Sequence, residues 1–93
     1  MTKYNIQNLI KVDSYIEEFF LDGDMLNREY LINEIPINEL KKFFSSVEDD
    51  DELYLPYKIE SEISILINNN LKTPIVFDFK NFEYFLQRFG TYK

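Results

Sequence analysis

The chain has 93 residues, no cysteine or histidine, and ten basic against seventeen acidic side chains, a net charge of −7. That length fits one domain, and the missing residue types remove disulfides, thiolate chemistry, the usual zinc sites and the usual neutral-pH general base. The negative excess disfavours direct contact with nucleic acid or anionic membranes, both of which recruit Lys and Arg, and it favours a basic protein partner.

The first thirteen residues read two ways. Tyr4, Ile6, Ile10 and Val12 fit a strand, whereas Ile6, Leu9 and Ile10 fit a helical turn. From residue 14 to 21 the alternation places Tyr15, Phe19 and Leu21 on one side of a strand and Ile16 and Phe20 on the other. Asp22-Gly23-Asp24 is a turn signal, and Leu26, Arg28, Tyr30 and Ile32 alternate beyond it, so the segment predicts a β-hairpin. A helix through 15–32 competes, and the Gly and paired Asp in its middle count against it. Ile35-Pro36 ends the second strand; Asn38 can cap a helix with Glu39 in its first turn and Leu40, Phe43, Phe44 and Val47 along one face. Five consecutive acids at 48–52 predict an exposed loop, and 53–59, with Pro56 inside it, an irregular crossing. Ser61 can cap a second helix in which Ile63, Leu66, Ile67 and Leu71 line up, frayed by Asn68-Asn69-Asn70 and stopped by Thr73-Pro74. The aromatic tail predicts a strand within 82–89, a helical turn being the alternative. The order predicts an α+β single domain over 1–93: a small antiparallel sheet, made of the hairpin and the C-terminal strand, with two helices packed on one face.

Chemistry is limited further. Gly23 and Gly90 are the only glycines, so no Gly-rich loop can cradle a phosphate, and no cofactor is expected. Glu17 and Glu18 are adjacent and face opposite sides of a strand, a poor geometry for paired carboxylate catalysis, and the chain reads as a non-enzyme. Counted as a calcium loop from Asp22, the sixth position is Asn27 and the twelfth Asn33, so that motif fails and no metal site is expected. The N-terminus lacks the basic start and apolar run of a signal peptide, and no apolar stretch approaches the roughly 20 residues of a membrane span. The expected location is the cytoplasm. Glu48, Asp49, Asp50, Asp51 and Glu52 beside Tyr54 and Tyr57 are the candidate partner-binding residues, charge next to aromatic anchors, with Asp22 and Asp24 at the hairpin tip second. Phe77, Phe79, Phe82, Tyr84, Phe85 and Phe89 cannot all point inward from a sheet covered on one face, so some can form a partner or homodimer surface.

Tyr15-Ile16-Glu17-Glu18-Phe19, Glu34-Ile35-Pro36, Glu39-Leu40-Lys41-Lys42-Phe43-Phe44, the acidic loop leading to Leu53-Tyr54, Tyr57-Lys58-Ile59 and Phe82-Glu83-Tyr84-Phe85-Leu86 together resemble a group of small bacterial immunity proteins of polymorphic-toxin systems, including contact-dependent growth inhibition. The likeness runs over residues 14–89 through hydrophobic patterns rather than chemical signatures. It implies a non-catalytic cytoplasmic protein that binds and blocks one cognate toxin, often a nuclease. A small phage- or plasmid-type adaptor, self-associating through the aromatic tail with no toxin partner, is the other expectation.

Overall fold

The computed structural model of the chain describes residues 9–23, 25–44, 50 and 53–92. Among these residues a four-stranded antiparallel sheet carries two short helices in an α+β arrangement, with strands near both ends of the chain. The hairpin forms as its alternation and turn require. β1 (Leu9–Phe20) and β2 (Leu26–Leu31) are antiparallel, Phe20 N–H donates to Met25 C=O at 2.9 Å, and Gly23 takes the positive φ of 112° that the turn demands. Tyr15 stands opposite Leu31, Glu17 opposite Glu29 and Glu18 opposite Arg28, with a register shift at Glu18/Phe19. β4 (Phe82–Tyr92) pairs with β1 from Phe20·Phe82 to Leu9·Tyr92, so the terminal strand runs three residues beyond the expected end at Phe89. Strand character in the ambiguous N-terminal stretch begins at Leu9; residues 1–8 lie outside the described ones.

The segment expected to cross irregularly holds a short strand. β3 (Tyr57–Lys58) pairs with Leu86 and Phe85 and completes the order β2-β1-β4-β3, and Ile59 N–H continues to Tyr84 C=O at 2.8 Å. Pro56 hides this from a sequence reading, because proline cannot donate to a ladder and masks the two residues that follow it.

Strand periodicity sorts the sheet into two faces. On one, Ile16, Tyr84 and Leu86 are buried against Ile32, Ile35, Leu40, Phe44, Leu53, Ile59, Ile67 and Ile75 from the helices and connections. Each such fully buried aliphatic side chain contributes about 1.5–3 kcal/mol relative to exposure. Among the described residues no helix lies over the other face.

Helix α1 (Ile37–Phe43) starts at Pro36, whose C=O accepts the N–H groups of Glu39 and Leu40 at 3.0 and 3.1 Å; Asn38, expected to cap, lies inside the first turn. Glu39 near its start and Lys41 and Lys42 near its end suit the helix dipole, and Leu40 and Phe44 tie it to the core. Val47, expected on the same face, lies outside the described residues. Helix α2 (Ser61–Asn68) is preceded by Glu60 as N-cap, so Ser61 does not cap it. Ile67 and Ser64 are buried and Ile63 partly so, whereas Leu66, expected inside, is 42% exposed. A helix this short buries only a narrow stripe, and Ser64 fits it because its hydroxyl donates to Ser61 C=O at 2.6 Å. Asn68 then holds the returning chain with both halves of its amide, accepting from Ile75 N–H at 2.8 Å and donating to Ile75 C=O at 2.9 Å.

Candidate interaction surface

The acidic segment has a structural member. Asp50 is only 6% exposed. Its Oδ1 accepts Tyr54 N–H at 2.8 Å, and its Oδ2 accepts Leu55 N–H at 3.1 Å and the Tyr57 hydroxyl at 2.6 Å. Its backbone C=O also takes Leu53 N–H at 3.1 Å, and Leu53, fully buried, sits at φ 57°, a left-handed conformation uncommon for a branched side chain. Burial alone raises the Asp50 pKa. The hydrogen bonds from Tyr57, Leu55 and Tyr54 and the charge of Arg88 outweigh it and hold the carboxyl below its usual range. Arg88 is itself buried; its Nε donates to Ser14 Oγ at 3.0 Å and its guanidinium lies 5.8 Å from the centre of the Tyr54 ring. The expected solvent position of Asp50 is therefore corrected: it is a turn-forming carboxylate facing a buried arginine.

A second buried carboxylate lies on the covered face. Glu18 accepts the Tyr84 hydroxyl at 2.7 Å and Asn27 Nδ2 at 2.6 Å, with Arg28 Nε at 3.9 Å, while Tyr84 Oη accepts Asp78 N–H at 2.9 Å. Burial is the main cause that pushes the Tyr84 phenol far above its usual range; the Asp78 N–H opposes it, and the adjoining Glu18 carboxylate adds to it. Phe77 and Phe79 stack on each other and meet the Tyr84 ring edge-on at 4.8 and 5.3 Å; Phe77 packs against the core, and Phe79 keeps an exposed side.

Phe82 packs on the core beside Tyr84, whereas Tyr15, Phe19, Phe85 and Phe89 lie on the uncovered face. Tyr15 meets Phe89 at 5.9 Å between ring centres, and Phe19 meets Phe85 at 5.8 Å. Phe89 is 46% and Leu31 59% exposed. One row, which includes Phe85 of the second ring pair, crosses all four strands: Glu29, Glu17, Phe85 and Lys58 in order. The Glu17 pKa is raised, first by partial burial and then by the neighbouring Glu29 carboxylate. Among the described residues the ion pairs are Lys11–Asp13, Arg28–Glu18 and Lys42–Glu39; neither Glu17 nor Glu29 has a cation. Two like charges directly opposite on neighbouring strands are destabilising, and this pair sits within an aromatic surface.

Of the residues expected to bind a partner, Asp50, Tyr54 and Tyr57 come together around Arg88. Tyr57 packs on Phe44 and spends its hydroxyl on Asp50, so it is half-buried, while Tyr54 is 37% exposed. Asp22 is exposed in the turn beyond the end of β1. Glu48, Asp49, Asp51, Glu52 and Asp24 lie outside the described residues. The Glu17–Glu29 pair was not among the expected site residues; the register shift at Glu18/Phe19, which alternation does not reveal, sets Glu29 rather than Arg28 opposite Glu17.

Among the described residues no group of His, Cys, Asp or Glu is placed to hold a metal ion, and no helix is long and apolar enough to cross a membrane. A family model for a domain of unknown function, DUF7683, matches residues 13–87. No curated protein and no solved structure matches the chain.

Proposed function

We propose that this chain, which belongs to the DUF7683 family, is a non-catalytic cytoplasmic protein that binds and neutralises a basic protein toxin, a nuclease first among the candidates. One observation carries the reading. Among the described residues, the sheet face without helices is aromatic and acidic together, with Tyr15, Phe19, Phe85 and Phe89 around a carboxylate pair that lacks a cation. Rings beside charge are the composition of interface centres and their rims. A net charge of −7 adds long-range attraction toward a cationic surface. Nuclease domains are cationic where they grip phosphates, and the resemblance of residues 14–89 to immunity proteins points the same way.

Self-association through the aromatic tail is the second reading, supported by the exposure of Phe89. Stacking two copies through this face brings two Glu17–Glu29 pairs and two net charges of −7 together, which favours the first reading. Co-expression with the product of the adjacent gene tests it. Rescue of growth, with a complex that survives gel filtration and weakens in salt, supports an inhibitor. A neighbour that is not toxic, or toxicity unchanged by the chain, rejects it, and a mass that doubles with concentration supports self-association.

A further inference from the structure

Resting on the reading that the partner is a basic protein, we propose that the uncovered sheet face is its docking surface and that a partner arginine seats on Glu17 and Glu29 between the flanking rings. The geometry selects the occupant. Glu17 and Glu29 are direct cross-strand neighbours, so their carboxylates share one location. Tyr15 and Phe19 stand two residues either side of Glu17 on the same face, each extended by a ring of β4, Phe89 and Phe85. A guanidinium offers a fork of donors to both carboxylates and a flat surface to the rings, and a lysine ammonium supplies only the charge. Nucleic acid and anionic lipid carry the wrong sign, and a second copy repeats the acid pair.

Binding here is linked to protons. The Glu17 carboxyl is raised, first by partial burial and then by the charge of Glu29, so acid leaves Glu17 protonated and the seat weaker for a cation, and rising pH prepares it. The charged groups that face it are Glu29 from β2, Lys58 from β3 across Phe85, Glu83 farther along β4, and Asp13 on β1, the last paired with Lys11. The arrangement also predicts opposite signs for stability and binding. Replacing either glutamate by glutamine relieves repulsion in the free protein and removes the seat for the arginine.

Isotope-labelled full-length chain is titrated with N-acetyl-arginine amide, its lysine counterpart and its citrulline counterpart, the last being neutral and nearly isosteric with arginine. The expected result is amide-shift change centred on residues 15–19, 28–31 and 84–87 with the arginine compound, less with lysine and none with citrulline, stronger at pH 7 than at pH 4. The doubly substituted Glu17→Gln/Glu29→Gln chain, which keeps a dispersed spectrum and gains stability, loses the response several-fold. Shifts spread over all carboxylates, shifts centred on 54–57, or an unchanged response in the double variant overturn the proposal. Toxin rescue separates the two levels. Rescue untouched by Glu17→Gln/Glu29→Gln overturns the arginine seat and leaves the inhibitor reading standing. Arginine binding on the sheet face without rescue supports the seat and overturns the toxin reading.

Discussion

Asp50→Ala is expected to remove a large share of the stability of this domain. The lost carboxylate accepts two backbone N–H groups, at 2.8 and 3.1 Å, and the Tyr57 hydroxyl at 2.6 Å. A buried donor left without an acceptor costs about 1–3 kcal/mol. Tyr54 and Leu55 are 37% and 50% exposed, so water recovers part of the loss at both amides. The remainder, with the Tyr57 hydroxyl and the Arg88 charge, places the expected loss at about 2–4 kcal/mol. A domain of this length has about 5–14 kcal/mol in total. The chain has no tryptophan, so urea unfolding is followed by far-ultraviolet circular dichroism. With a slope of about 1 kcal/mol/M the midpoint falls by about 2–4 M at constant slope. A loss below about 0.5 kcal/mol, the level of an ordinary surface change, refutes the assignment of Asp50 to the turn. Asp50→Asn separates charge from shape. An amide oxygen turned toward Leu55 N–H and Tyr57 Oη leaves its NH2 facing Tyr54 N–H, donor against donor, so this variant is also destabilised. Because the folded pKa of Asp50 is lowered, its contribution is present above the unfolded value of about 3.9 and is lost as pH falls through the folded value. Asp50→Asn therefore flattens the acid limb of the stability profile.

Glu17→Gln is expected to stabilise the chain at neutral pH by about 0.2–1 kcal/mol, the scale of like charges directly opposite in a sheet. The Glu17 pKa is raised in the folded state, so the wild type loses stability as pH rises through that value, and the advantage of the variant disappears in acid; paired urea titrations at pH 4 and 7 check this. Tyr84→Phe removes a hydroxyl that donates to Glu18 at 2.7 Å and accepts from Asp78 N–H at 2.9 Å, and a loss of about 1–3 kcal/mol is expected by urea unfolding. In an alkaline absorbance titration the Tyr84 phenol ionises far above the usual tyrosine range, and Tyr84→Phe deletes that component. Phe89→Ser, at a ring 46% exposed, lowers stability by less than about 1 kcal/mol while weakening partner binding measured by calorimetry.

The hairpin was legible because two alternating runs flank a Gly-containing turn signal, although the register shift at Glu18/Phe19 puts Leu26 and Arg28 on opposite faces, and the C-terminal strand because its rings suit a pleated surface. The helix ends were not, because Asn38 and Ser61 have capping chemistry while the chain enters at Pro36 and Glu60. Side-chain identity also misled at the acidic segment. Composition treats Asp50 as one of five equal acids, but its buried position depends on Tyr57 and Arg88, 7 and 38 positions away in the chain. Conversely, Ser14, Glu18 and Arg88 stand on the covered face, where their polarity argues for solvent; each is buried with a partner, Arg88 with Ser14 and Glu18 with Tyr84. The contrast between adjacent Glu17 and Glu18, one on each face, follows from strand parity alone. Which face is covered does not, because that is decided by Ile32, Leu40, Leu53, Ile67 and Ile75, residues far apart in the chain.

The account stands or falls on which acids meet the partner. Affinity for a basic toxin that the chain neutralises in co-expression, measured by calorimetry for Glu17→Gln/Glu29→Gln and for a variant with Glu48, Asp49, Asp51 and Glu52 all made neutral, decides it. The sheet-face variant should bind about tenfold or more weakly, and the second should change chiefly the association rate and its salt dependence. Unchanged affinity in the sheet-face variant with a collapse in the other contradicts the account.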